Sequence, residues 1–84
     1  MKYTVKKYDQ RDGVDTYLQH RITSHGEWFM FTGNPDSASW CPDGDIQKLF
    51  ELLPYFMDRD VAAGAAHFDY DVIDSRFNEV WMKS

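Results

Sequence analysis

The sequence predicts an α+β fold: a small antiparallel sheet of four, possibly five, strands with one helix packed on a face, in the order β-β-β-α-β. Two patterns carry this prediction. Stretches that alternate with a period of two lie in the first third of the chain and near its end. A single stretch with helical spacing lies between them. Eighty-four residues are enough for one core only, so residues 1–84 form a single domain.

The first three strands are predicted in the N-terminal third. Residues 3–8 form the first, and Asp12-Gly13 supplies the positive φ of a tight turn. Residues 14–23 form the clearest strand, since Val14, Thr16, Leu18, His20 and Ile22 share one face. Residues 27–32 form the third strand, and because they are apolar on both faces, they predict a central place in the sheet.

The helix follows a loop at residues 33–44 that is rich in turn formers. Asp43 or Asp45 can cap its first turn, where a carboxylate also suits the helix dipole. An amphipathic stripe then follows at Ile46, Leu49, Phe50 and Leu53. Pro54 removes a backbone donor, so we expect a break or kink near Leu53, with one more turn after it.

The last part of the chain alternates large apolar residues with acids. Residues 67–74 are predicted as the fourth strand, in which Phe68, Tyr70 and Val72 share one face, and Asp69, Asp71 and Ile73 the other. Residues 76–82 fit either a short fifth strand or a terminal helical turn.

Charge is distributed unevenly between the two halves of the chain. Residues 1–42 hold five bases and five acids, whereas residues 43–84 hold nine acids and four bases, so the formal charge of -5 lies in the second half. Such a balance suits a basic partner and argues against direct contact with nucleic acid. Fourteen aromatic residues (three Trp, five Tyr, six Phe) compensate for the small size of the core.

The sequence favours a cytoplasmic protein with no membrane contact. Its start has no apolar stretch long enough for a signal peptide, and the longest strongly apolar run, residues 28–31, is far too short to span a bilayer. The single cysteine, Cys41, excludes an internal disulfide framework.

No motif predicts a cofactor, a metal or catalysis. His20, His25, His67 and Cys41 are scattered without the spacing of a metal site. Asp69 and Asp71 share a strand face and could hold a divalent cation or act as an acid/base pair. No phosphate-binding loop or nucleophile motif accompanies them. A small carboxylate- or metal-dependent enzyme therefore stays only as an alternative.

The candidate partner-binding residues are acids and aromatics. The acids that would steer the protein to a cationic surface are Asp43, Asp45, Asp58, Asp60, Asp69, Asp71 and Asp74. Trp40 stands alone in the turn-rich loop, where it fits either an interface anchor or a lid on the core. Tyr70 would be held rigidly by its strand, and Cys41 would pack or lie at the edge of the interface.

One pattern resembles a known family. Cys41, twelve intervening residues, Pro54-Tyr55-Phe56 and then Phe68-Asp69-Tyr70 are similar to the cloacin-type immunity proteins, which protect a bacterium from its own ribonuclease bacteriocin. The resemblance covers residues 41–71. It implies a sheet with one helix and tight binding to a basic nuclease domain in the cytoplasm. It also implies that Cys41, Asp69 and Asp71 belong to or flank the toxin-binding surface.

These observations favour a small acidic inhibitor that occupies the surface of a cationic nuclease or nucleic-acid-processing complex. A phage-encoded anti-defence protein, such as an anti-CRISPR or a DNA mimic, would use the same physics. A third hypothesis is a nucleic-acid binder that uses the basic residues and tyrosines of the N-terminal half, namely Lys6, Lys7, Arg11, Arg21, Tyr3, Tyr8 and Tyr17. The oligomeric state stays open.

Overall fold

The computed structural model describes residues 1–81 and has the predicted layers, one antiparallel sheet with one helix on a face. The strands and the α-helix in chain order are β1 (Lys2–Asp9), β2 (Val14–Thr23), β3 (Gly26–Thr32), β4 (Cys41–Pro42), α1 (Ile46–Ala62), β5 (Phe68–Asp74) and β6 (Glu79–Val80). Two short 3-10 helices lie at Pro35–Ser37 and Asp43–Asp45. The α+β class and the β-β-β-α-β order are confirmed. The possible fifth strand is present as the two residues of β6, and β4, also of two residues, is a strand that was not predicted.

The strand order in the sheet is β3-β2-β1-β5-β6, so β3 lies at an edge. The prediction that β3 is central was wrong. It rested on apolar residues at both faces of the strand, but Trp28 and Met30 are more than half exposed. The alternate residues of β3, Phe29 and Phe31, face α1 and pack against the core. The strand is therefore apolar on both faces because one face packs on the core while the other exposes Trp28 and Met30.

A short segment fills a gap between β1 and β2. These two strands pair only over Lys6–Asp9 and Val14–Tyr17, and then diverge. The segment enters there: the Ser39 N–H donates to the Leu18 carbonyl at 2.8 Å, and β4 then pairs with the start of β1, Cys41 opposite Tyr3. Part of the predicted loop is thus built into the sheet.

The core lies between the sheet and α1. Its buried members are Val5, Leu18, Leu49, Phe56, Tyr70 and Val72. Phe56 is fully buried at the centre, with its ring centroid 5.2 Å from that of Phe31, 5.4 Å from Tyr70 and 5.7 Å from Phe29. Burial of such large rings is the main stabilising term for a domain of this size.

The helix α1 runs without interruption through Pro54, so of the break or kink predicted near Leu53 the break was wrong. Pro54 is exposed, which places the lost hydrogen bond on the solvent side, where water can satisfy the freed carbonyl. Core contacts on both sides of it, at Leu49 and Phe56, hold the two halves of the helix against the sheet. Asp45 occupies the N-cap position but makes no capping hydrogen bond.

A tight hairpin joins β5 to β6. Asp74 Oδ1 accepts from the backbone N–H of Arg76 at 2.9 Å and of Asn78 at 3.1 Å. The strand alternative for residues 76–82 is therefore realised at Glu79–Val80, while Met82 lies outside the described residues.

Candidate functional site

The face of the sheet opposite α1 is called the outer face below. α1 does not cover it, and at its β2 side the short 3-10 helix Pro35–Ser37 lies against it, with the Ser37 carbonyl accepting a hydrogen bond of 2.7 Å from Gln19 Nε2. Strand register fixes which side chains it carries, because directly paired residues of antiparallel strands share a face. Three rows cross its centre, and they are Asp15–Tyr8–Asp69, Tyr17–Lys6–Asp71 and Thr4–Ile73–Glu79. Asp69 and Asp71 thus lie on one face, as predicted, and Asp15 and Glu79 join them.

The acids on β5 and β6 have no ion-pair partner in the part of the chain that the structure describes. Asp69 accepts a hydrogen bond of 2.7 Å from Gln10 Nε2, a neutral donor. The pKa of Asp71 is raised, first by partial burial and then by the negative charges of Glu79 and Asp69, against which Lys6 acts. This part of the outer face therefore concentrates negative charge at a cost in stability.

We expect Asp71→Asn to stabilise the protein. A folded-state pKa above the unfolded value means that stability falls as pH rises through that interval, so the charge is unfavourable at neutral pH. Screening by solvent limits the gain to about 0.5 kcal/mol, or roughly 2–4 °C in melting temperature. Thermal melts at pH 7 should show this gain, and well below pH 3.8 it should vanish. An equal gain from Asp58→Asn, on exposed α1 surface, would contradict a local cause.

A cluster of rings covers the other end of the outer face. The Phe77 ring makes edge contacts with Tyr17 at 5.9 Å and with Trp40 at 6.1 Å between centroids. Thr4 and Ile73 are fully buried although they face away from the helix, so side chains of this face must cover them. We call Tyr17, Trp40 and Phe77 the ring cluster.

Trp40 is half-buried, so its ring packs within the protein and also keeps an exposed part. Its indole Nε1 donates to the Pro35 carbonyl at 3.0 Å, and its ring packs against Phe77. Trp40 is therefore part of the outer face, where it packs against Phe77 of the ring cluster. The alternation of β4 explains this direction, since the next residue, Cys41, points to the core.

Phe77 has an unusual backbone conformation. Its φ is 66°, and it is the one non-glycine residue with positive φ in the described part of the chain. A bulky residue in this region costs about 1 kcal/mol or more. The ring is nevertheless half exposed, so its own burial recovers only part of that cost. Strained residues of this kind are concentrated at binding sites.

Tyr70 and Asp60 do not belong to a partner-binding surface, and this part of the prediction was wrong. Both are buried, and the Tyr70 hydroxyl donates to the Asp60 carboxylate. Burial and the adjacent carboxylate raise the pKa of Tyr70, so its hydroxyl stays a donor. A signal for this pair was available in the sequence. Asp60 follows Phe56 by four residues, which places it on the buried stripe of α1.

The other four predicted acids lie away from the outer face. Asp43 is exposed, 4.0 Å from the N-terminal amine, and Asp45 lies 3.5 Å from Lys48. Asp58 is exposed on α1. Asp74 shapes the β5–β6 hairpin. The acids chosen from the sequence therefore do not form one surface. The acids in the three rows of the outer face are Asp15, Asp69, Asp71 and Glu79, with the base Lys6 between Tyr17 and Asp71.

Cys41 lies on the opposite side of the sheet from Asp69 and Asp71. It packs against the core, and burial, followed by the charge of Asp45, raises the pKa of its thiol. It lines an open cleft of about 490 Å³ between α1 and the end of β2–β3. In that cleft His20 stacks on Phe29 at 4.9 Å and contacts the carboxylate of Glu27 through Nε2.

Within residues 1–81, no three His, Cys, Asp or Glu side chains are placed so that they could hold a metal ion together. None of the helices described is long and apolar enough to cross a membrane.

No protein-family model, curated protein or solved structure is significantly similar to this chain.

Proposed function

We propose that this protein is an inhibitor that binds a cationic nuclease, or a nucleic-acid-processing complex, through its outer face and acts by occupying that partner's surface. The observation that carries the proposal is a sheet face not covered by α1, on which three acids without an ion pair among residues 1–81 adjoin exposed rings. Asp69, Asp71 and Glu79 supply the charge. Tyr8 and Phe77 supply exposed apolar area beside them.

The proposed roles of acids and rings differ. Carboxylates that outnumber the nearby bases attract a basic surface over about a Debye length and so raise the association rate. Aromatic side chains held on a sheet bury a large area at a low entropic cost and so slow dissociation. The stability cost of the Asp71 charge and of the Phe77 backbone fits residues retained for binding rather than for folding.

The partner class follows from the sign of the charge and from the resemblance to the cloacin-type immunity proteins. Ribonuclease domains that bind RNA phosphates present basic clefts, which an acidic rigid face can fill. We propose the cytoplasm as the place of action, since that is where such an enzyme would meet its RNA substrate. A phage-encoded anti-defence protein would use the same face against a different basic partner.

The test is charge reversal on the outer face, Asp69→Lys together with Asp71→Lys. We expect the association rate with a cloacin-type ribonuclease domain to fall by about tenfold or more at low salt. Inhibition of RNA cleavage should weaken in proportion. The wild-type rate should decrease as salt is added, whereas the variant's rate should change little. Surface plasmon resonance measures the association rate, and an RNA-cleavage assay measures the inhibition.

The matched control is Glu51→Lys with Asp58→Lys, which changes the net charge equally but on exposed positions of α1. It should alter the association rate much less than the outer-face pair. Equal losses in the two doubles would mean that only net charge matters. The wild type should be tested against several cloacin-type ribonuclease domains. If it binds none of them, the partner class is wrong.

A further inference from the structure

One edge of the sheet has a free row of backbone groups. β3 is the last strand on its side, and within residues 1–81 no strand pairs with its outer edge. The Leu18 carbonyl and the His20 N–H both bond to Ser39, on the side of β2 away from β3. The backbone N–H and C=O groups of even-numbered residues of β2 therefore point away from β3, and those of odd-numbered residues point toward it.

The register extends this argument to β3. Trp28 is paired with Arg21 and Met30 with Gln19, so the backbone N–H and C=O groups of Trp28 and Met30 form hydrogen bonds with β2. The backbone groups of the residues between and beside them must point away from β2. The N–H and C=O groups of Glu27, Phe29 and Phe31 consequently face the free edge, where they form three donors and three acceptors in a row.

This edge lacks the features that normally prevent pairing between molecules. Natural edge strands are protected by lysine, proline, bulges or short length. β3 is seven residues long and contains neither lysine nor proline. Its outer side chains, Trp28 and Met30, are more than half exposed.

Charge is also arranged favourably for self-association. The one charged residue of β3, Glu27, contacts His20 of the same chain. Asp69 and Asp71 lie three strands away, about 14 Å at the usual strand spacing. In an edge-to-edge pair the acids of the two copies would be roughly 30 Å apart, well beyond a Debye length. The charges of Asp69 and Asp71 therefore do not oppose this contact.

We propose that β3 pairs antiparallel with β3 of a second copy about a two-fold axis at Phe29. This register lets all six free backbone groups form hydrogen bonds, Phe29 with Phe29 and Glu27 with Phe31 in both directions. Trp28 then lies directly opposite Met30 of the second copy on the outer face, which allows two sulfur–aromatic contacts. No like charges face each other. The result is one continuous sheet.

The proposed contact between the two copies of β3 is small. One pair of seven-residue strands buries less than the roughly 1,200 Å² of a standard interface, so the dimer should be weak and should depend on concentration. Because the two-fold axis is perpendicular to the sheet, the outer faces of both copies would point the same way. The proposal goes beyond the inhibitor function and needs no other partner for its test.

The first experiment is sedimentation equilibrium from low-micromolar to near-millimolar protein. The average mass should rise from 9.9 kDa toward twice that value. Trp28→Lys with Met30→Lys places like charges opposite each other twice and should keep the protein monomeric throughout. The control, Val14→Lys with Val61→Lys, makes the same charge change at exposed apolar positions outside β3 and should still dimerise. A monomeric wild type at the highest concentration overturns the proposal.

Cysteine cross-linking tests the register. In a Cys41→Ala background, Trp28→Cys and Met30→Cys proteins are oxidised separately and as a mixture. Residues 28 and 30 would face each other about 4.5 Å apart at Cα, within disulfide range, whereas two copies of residue 28 would be about 8 Å apart. Covalent dimer should therefore form chiefly in the mixture. Equal yields in the three samples would contradict the register, and thermal melts verify that each variant is folded.

Discussion

Phe56→Ala is expected to destabilise the protein by about 3–5 kcal/mol, the range for removing a fully buried aromatic ring. Phe56 lies between the helix and the sheet and contacts the rings of Phe29, Phe31 and Tyr70. No neighbouring element can move in to fill the space without giving up its own contacts. Since a domain of this size has a total stability near the lower end of about 5–15 kcal/mol, the variant should be largely unfolded at physiological temperature.

Urea denaturation followed by circular dichroism measures this loss as a lower midpoint. Met57→Ala is the matched control, because Met57 is adjacent in sequence but more than half exposed, and its loss should change stability by about 0.5 kcal/mol or less. Similar midpoints for the two variants would contradict the place given to Phe56 in the core.

The long elements could be predicted from the sequence because each has one buried face. Strand β2 was predicted at its observed bounds from five alternate residues, Val14 to Ile22, that share the helix side, although only Leu18 of them is buried and Val14 and Ile22 are exposed. Phe68, Tyr70 and Val72 likewise identified the buried face of β5. Burial imposes a period on the sequence, and such a period can be recognised without knowing what covers it.

Features fixed by backbone pairing were not visible in the same way. The two residues of β4 are too few for any period, and their place follows from the divergence of β1 and β2. The edge position of β3 depends on which strands pair, a long-range property that apolar side chains on both faces do not reveal. The break at Pro54 was predicted from the local tendency of proline to end a helix, and the core contacts of α1 outweigh that tendency.

The candidate site was half predictable. Alternation placed Asp69 and Asp71 together on one exposed face, and the structure keeps them there. The ring cluster was not foreseen, because Tyr17, Trp40 and Phe77 come from three separate parts of the chain. Asp60 and Tyr70 were taken for surface residues, since an acid and a tyrosine in an acidic segment resemble a surface pattern until the helical spacing from Phe56 is considered.

The buried Asp60–Tyr70 pair leads to the second large prediction. Asp60 lies in the last turn of α1, where a negative charge opposes the helix dipole, and it is nearly inaccessible to solvent. The Tyr70 hydroxyl is the hydrogen-bond donor that compensates for this placement. We expect Tyr70→Phe to cost about 1–3 kcal/mol, because it leaves the carboxylate buried without this donor while removing a single oxygen atom.

Asp60→Leu combined with Tyr70→Phe should be more stable than Tyr70→Phe alone, although the double variant has lost the whole interaction. The reason is that an unsatisfied buried carboxylate is worse than an apolar pair of similar shape. Urea midpoints of the wild type, the two single variants and the double variant form a thermodynamic cycle, in which we expect a coupling free energy above about 1 kcal/mol. If Tyr70→Phe leaves the midpoint unchanged, water reaches Asp60 and the pair contributes nothing. A stable double variant would show that the fold does not need this internal acid, which lies apart from Asp69 and Asp71 on the outer face.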